Sequence, residues 1–176
     1  QSLVKMKKYE ALDRYISEMI GEISEVNQLV GIGHPALSAL IQSKLVRAEK
    51  EKIRFSYSFE GMEKLLLGLK AVDVVKIMGN LIDNAMDEVA KLPPDQRWVE
   101  ACGKVEGDDL YLIIRNPGRE IPPSVRAKMF LPGFTTKSDN RHSGLGLSIV
   151  KERVEYYKGA IHVESTLDKG TVFTIR

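Results

Sequence analysis

Asn80 and Asn84 stand four residues apart in the run Asn80-Leu81-Ile82-Asp83-Asn84-Ala85. On a helix that spacing puts both amides on one face, a turn apart. Amide oxygens are hard ligands of the kind Mg accepts, and Mg keeps several waters and shares its shell with substrate phosphates. Two Asn also disfavour a helix interior slightly, so some compensating role is expected. Alone, the pair would describe no more than a solvated polar strip. A second signal is Gly144-Leu145-Gly146-Leu147, which leads straight into an amphipathic stretch. Absent side chains let phosphates approach the backbone, and the free N–H groups of a helix start point at an anion. The run lacks the further glycines of the dinucleotide fingerprint and the Gly-Lys-Ser/Thr ending of the P-loop. By itself it is also compatible with a tight turn. Between the two lies Phe130-Leu131-Pro132-Gly133-Phe134-Thr135-Thr136-Lys137. Its phenylalanines suit anchors for a lid and Lys137 suits a terminal phosphate; the plainer readings are packing under a loop and a solvated charge.

These residues need elements to hold them. Leu12, Ile16, Met19, Ile23, Val26 and Val30 alternate at spacings of four and three, the pattern of a bundle or coiled-coil seam. Such a stripe calls for a partner, most simply a second copy of itself, or else for packing on its own domain. Gly31 and Gly33 end that helix, and His34-Pro35 opens another running to about residue 52. From Ile53 the period becomes two, through Phe55, Tyr57 and Phe59, which predicts a strand. A helix is expected over residues 71–91, stopped by Pro93-Pro94. Strands over 98–105 and 110–115 flank Gly107-Asp108-Asp109. Residues 116–143 carry four prolines and no sustained period, the mark of a functional lid or a disordered loop. A helix over 145–158 and a hairpin of 160–165 with 171–176 close the chain. There is no internal repeat and no low-complexity segment.

The 176 residues allow one domain with an appendage, or two small domains. With 43% hydrophobic and 28% charged residues the chain is neither a disordered tail nor a fibrous repeat. The net charge of +2 is small, with Lys and Arg scattered among Glu and Asp, which argues against nucleic-acid binding. One cysteine, Cys102, forms no internal disulfide and has no His/Cys cluster beside it, so a reducing compartment is expected. No apolar run approaches the roughly 20 residues of a membrane span, and no signal peptide precedes the first helix. The chain opens at Gln1 already in a helical pattern, as a fragment of a longer protein would.

The order of the motifs is specific: the Asn-x3-Asn helix, Asn116-Pro117-Gly118, the Phe-bearing lid, Gly-Leu-Gly-Leu, then Gly170-Thr171-x-Phe173. Over residues 53–176 it resembles the N, G1, F and G2 boxes of the histidine-kinase branch of the ATPase superfamily shared with gyrase, Hsp90 and MutL. Upstream, Lys8-Tyr9-Glu10-Ala11-Leu12-Asp13-Arg14-Tyr15-Ile16 and His34-Pro35-Ala36-Leu37 are similar to the Spo0B-like subgroup, which includes citrate and fumarate sensors. There the segment lies just after the helix carrying the phospho-accepting histidine, a helix not found in this sequence. The resemblance implies a two-layer α/β sandwich of the Bergerat type, with a mixed sheet and helices on one face. It places the ATP-binding domain at 34–176, with a lid at about 117–143, after a remnant of a helical dimerisation segment at 1–33.

What the resemblance implies for single residues is also concrete. Asn84 matches the Mg-coordinating Asn, and Asn80 the N-box residue before it. Relatives that hydrolyse ATP with water typically carry a Glu base in the place of Asn80, and an amide cannot take a proton from water. That suits a kinase whose neutral imidazole acceptor needs positioning more than activation. Asn80 and Lys137 would serve the transfer. ATP contacts are implied for Asn80, Asn84, Asp87, Asn116, Gly118, Ile121, Phe130, Thr136, Lys137, Gly144, Leu145, Gly146, Leu147 and Thr171. The family's Asp at the adenine amino group is Asn116 here, and its second G1-box glycine is Glu120. Losing a charge-assisted bond worth roughly 1–3 kcal/mol predicts weaker nucleotide binding. His34, His142 and His162 do not sit mid-helix beside an acid, so no phospho-acceptor is expected in the chain. The implied function is a two-component sensor histidine kinase using Mg and ATP. Its partners would be a response regulator and a second copy bound through the N-terminal helix; its place would be the cytoplasm, as a free protein or the cytosolic part of a membrane-anchored sensor. The alternatives are a degenerate nucleotide-binding interaction module and an anti-sigma-type serine kinase.

Overall fold

The computed structural model describes residues 32–63, 69–137 and 144–176. The heptad stripe of the first thirty residues, Gly31, His142 and Ser143 lie outside them. Helix α1 spans Pro35–Glu51. His34 caps it, its Nδ1 accepting from the Ala36 N–H at 3.2 Å, and Pro35 fills the first turn where no N–H is needed. Its buried residues Leu37, Ile41, Lys44 and Ala48 recur at four, three and four. Lys52 ends it in the left-handed conformation and Ile53 turns the chain into strand β1, Arg54–Glu60.

Helix α2, Ala71–Val89, has a sharply divided surface. Val74, Ile77, Met78, Leu81, Ile82, Ala85, Met86 and Val89 are buried, while Asn80, Asn84 and Asp87 form a strip outside that row. After a single 3-10 turn at Pro94–Gln96 come β2, Trp98–Glu106, and β3, Asp109–Asn116. A short helix α3, Pro123–Arg126, precedes α4, Gly146–Tyr156, and the hairpin of β4, Ile161–Thr166, with β5, Gly170–Ile175.

The sheet order is β1-β2-β3-β5-β4. β1 runs parallel to β2 and every other neighbouring pair is antiparallel. A parallel pair needs a crossover, and α2 supplies it. On the inner face Val99, Ala101, Leu112, Ile114, Phe173 and Ile175 meet α2 together with Val150 and Val154 of α4. The outer face carries polar pairs such as Arg115 with Glu100, at 2.8 Å across β3 and β2. The result is a mixed sheet layered with helices, as the sequence implies.

Two details differ from the sequence reading. The β2–β3 turn is Gly107-Asp108, with Asp109 already in the strand. The proline-rich loop contains α3, because Pro122-Pro123 presets the backbone angle of a first helical turn. Inside the core, Gly103 leaves room for Phe59 and Met62; a Cβ there would lie 2.7 Å from the Phe59 ring. Gly103→Val is therefore expected to lower stability by about 1–3 kcal/mol through overpacking, read as a lower urea midpoint at unchanged slope.

Candidate functional site

Three places converge on the outer strip of α2. At its middle, Asn80 donates through Nδ2 to the Lys76 carbonyl at 2.7 Å, which leaves Oδ1 turned to the start of α4. A Cβ on Gly146 would stand 2.9 Å from that Oδ1, so the glycine is what lets the Gly-Leu-Gly-Leu turn approach the amide. Gly144, at φ +69, is equally constrained: a Cβ would fall 2.5 Å from the Gly133 carbonyl carbon. The Gly133 N–H donates to the Gly144 carbonyl at 3.1 Å, which clasps the chain at Gly133 to the start of α4.

One turn further along, the Lys137 ammonium donates to Asn84 Oδ1 at 3.2 Å and to Asp87 Oδ2 at 2.5 Å. Asp87 Oδ1 accepts from Arg47 at 2.5 Å. Arg47 also bonds Asp83 at 2.9 Å and Glu51 at 2.8 Å, and Lys44 reaches Asp83 at 2.7 Å. Burial by itself pushes the Asp87 carboxyl up, but the hydrogen bonds and charges of Lys137 and Arg47 outweigh it and hold it down at about 2. Burial likewise pulls Arg47 down, and Glu51 and Asp87 more than reverse that.

The third place is the end of β3. Asn116 is buried and pairs in register with Thr171. Its Nδ2 donates to the Pro117 carbonyl at 2.9 Å, which reserves Oδ1 as an acceptor. Gly118, at φ +153, packs against α2, where a Cβ would meet Glu88 Cγ at 3.2 Å. The buried Thr171 hydroxyl bonds Ser165 at 2.9 Å, and Ser165 Oγ accepts from the Ile121 N–H at 2.9 Å. The guanidinium of Arg126 reaches the Ile121 and Ser165 carbonyls, so the segment carrying α3 is sewn to the closing hairpin.

The structure thus brings together Asn80 with Gly146, Asn84 and Asp87 with Lys137, and Asn116, Ile121 and Thr171 around Ser165. Phe130 and Leu147 pack against the core. Thr136 and Leu145 are exposed. His34 is a helix cap and His162 an exposed partner of Glu164. Sequence reading missed Lys44, Arg47, Ser165 and Arg126. The only signal for the first two was an Arg/Lys pair at three-residue spacing on a helix also burying apolar residues. A cavity of about 420 Å³ lined by Leu69, Val74, Asp108, Tyr157 and Arg176 lies at the other end of α2 and α4, away from the amide strip.

A mixed sheet layered with helices, with the amide strip of α2 set against the glycine-led start of α4, defines an α/β sandwich. The chain belongs to the family of histidine kinase-, DNA gyrase B-, and HSP90-like ATPases, which matches residues 70–176. It is 40% identical over 108 residues to a probable C4-dicarboxylate sensor kinase of Halalkalibacterium halodurans, covering 61% of this chain and 20% of that one. It is 28% identical over 180 residues to the sensor histidine kinase DpiB of Escherichia coli, covering 98% and 32%. The chain therefore spans a fifth to a third of these relatives' length. The fold matches a nucleotide-free catalytic domain of histidine kinase ThkA with a TM-score of 0.64 at 23% identity, over 86% of this chain and 92% of that one. Among the described residues no helix is long and apolar enough to cross a membrane.

The depressed Asp87 carboxyl gives a pH prediction. A carboxylate held lower in the folded state stabilises the fold fully above its ordinary value of 3.8, and that contribution is lost as pH falls towards about 2. Asp87→Asn is expected to cost roughly 1–2 kcal/mol at neutral pH after allowing for screening by water. Urea melts of both proteins should converge as pH drops through that window.

Proposed function

We propose that this chain is the catalytic part of a two-component sensor histidine kinase. It binds Mg-ATP between the amide strip of α2 and the start of α4 and passes the γ-phosphoryl group to a histidine on a dimerisation helix outside these residues. From there the group is relayed to an aspartate of a response regulator. On this reading residues 34–176 form the ATP-binding domain, with the lid at about 117–143. Residues 1–33 belong to the helical segment through which two copies pair.

The observation that carries the reading is the cation at Asn84 Oδ1, where Lys137 sits at 3.2 Å. A hard amide oxygen that already faces a cation suits Mg, which takes its remaining ligands from phosphate and water. Among the described residues no three of His, Cys, Asp or Glu are grouped to hold a metal unaided, in keeping with a cation that arrives with the nucleotide. With Mg held there by Asn84, the chemistry it would supply is charge compensation for the transferring phosphoryl oxygens. Mg held at that oxygen would repel the Lys137 ammonium, which would then be free to turn to the terminal phosphate. Asn80, being an amide, positions and does not deprotonate, which suits a neutral imidazole as nucleophile. The N–H groups at the start of α4 face the phosphates, with Gly144 and Gly146 admitting them. Asn116 Oδ1 accepts from the adenine amino group, buttressed by Thr171.

A second reading, a nucleotide-responsive interaction module, is favoured by one residue: Asn116 offers a neutral acceptor where the family's pattern has an acid, which weakens adenine binding. Calorimetric titration separates the two. Mg-dependent ATP binding that Asn84→Ala reduces at least about tenfold, some 1.4 kcal/mol, supports the kinase site; absence of binding at millimolar ATP turns the conclusion to the module. Incubated alone with radiolabelled ATP the chain should acquire no acid-labile, base-stable label, and a peptide or protein carrying the acceptor helix should acquire it. Phosphoserine on a partner would instead indicate the anti-sigma type of kinase.

A further inference from the structure

Asp87 uses its two oxygens separately: Oδ1 for Arg47 of α1 and Oδ2 for Lys137 of the lid. Arg47 is fixed by three carboxylates, its Nε on Glu51, Nη1 on Asp83 and Nη2 on Asp87. Its guanidinium is therefore oriented independently of the lid. Lys137 is held by Asn84 and Asp87, and both are groups it has to leave to meet a phosphate. The Asp87 side chain is only 16% exposed, so stripping it of cations is costly.

We propose that Arg47 is a positioning residue for nucleotide binding: paired to one oxygen of Asp87, it keeps that carboxylate compensated while Lys137 moves from the other oxygen to the terminal phosphate of ATP. The inference rests on the reading of Lys137 as a phosphate ligand. Arg47 does not touch the nucleotide. Its charge-assisted bond persists through the transfer, so the departure of Lys137 leaves Arg47 in place on the carboxylate. Without Arg47 the carboxylate holds Lys137 harder, and the move costs more.

Because the transfer is directed at the terminal phosphate, its energetics separate ATP from ADP. A helix α1 that merely props up α2 would affect both nucleotides alike. Titrations in excess Mg with ATP and with ADP, on the wild type, Arg47→Met, Arg47→Lys, Asp87→Asn and the Arg47→Met/Asp87→Asn pair, test this. Arg47→Met should weaken ATP by about five- to tenfold and leave ADP within about twofold. Arg47→Lys, which keeps a cation on the methylene stem, should restore most of the loss. On the Asp87→Asn background, Arg47→Met should change nothing further, since no carboxylate remains to be compensated.

Equal weakening of ATP and ADP by Arg47→Met overturns the proposal, as does an undiminished loss on the Asp87→Asn background. If circular dichroism shows Arg47→Met unfolded, Asp87→Asn alone decides: freed from its carboxylate, Lys137 should raise the preference for ATP over ADP, and a fall in that preference overturns the proposal. A wild type that binds neither nucleotide overturns the kinase reading as well, whereas a wild type that binds both with Arg47→Met indistinguishable from it overturns the role of Arg47 alone.

Discussion

The burial of one face of α2 fixes everything else. Its eight apolar residues recur at three and four along nineteen residues, and each fully buried Leu, Ile or Met contributes roughly 1.5–3 kcal/mol relative to exposure. The two amides cost at most about 0.7 kcal/mol each in helix propensity. Burial therefore chooses the orientation of the helix, and the Asn80, Asn84 and Asp87 strip goes where the apolar row does not. Turning the helix by one residue, about 100°, would drive this strip towards the sheet. The position of the amide strip is thus a by-product of packing against β2, β3 and α4.

Charge then joins what packing leaves apart. Lys44 is buried among the apolar residues of α1 and ends on Asp83, while Arg47 spans Asp83, Asp87 and Glu51. These contacts tie α1 to the polar side of α2, the side an apolar interface cannot reach. Such half-buried networks contribute modestly to stability, since desolvation offsets much of the attraction. Their larger effect is on geometry: they fix which rotamer each charged group adopts beside the site.

How much of this was legible in the sequence follows from how local each signal is. The amide pair, the glycine-led helix and the hairpins are patterns of period two or three to four, and all three elements fall within about two residues of where periodicity puts them. Helix α3 was lost because four residues among prolines carry no period. Arg47 and Lys44 were invisible for another reason: their partners on α2 lie 36 to 40 residues away, and Ser165 is 44 from Ile121. No window along the chain contains both halves of those contacts. Asn116 was legible as a departure from the family's pattern; its bond to the Pro117 carbonyl, which settles which end of the amide accepts, was not.

The backbone clasp between Gly133 and Gly144 has a consequence for how such a chain can vary. It closes a loop of the intervening residues at a fixed neck, so the start of α4 is registered to the neck and not to the tip. Extra residues inserted beyond the neck add only a slowly growing closure entropy, about 0.6 kcal/mol for each doubling of length. The neck glycines have no such latitude: a side chain at Gly144 would run into the backbone of Gly133 and Phe134, and Gly133, though open around its Cα, sits at φ +78, a conformation side-chain-bearing residues rarely adopt. Length is therefore cheap to change and the neck is not, which makes the tip the natural place for diversification and the neck a place of near-invariance.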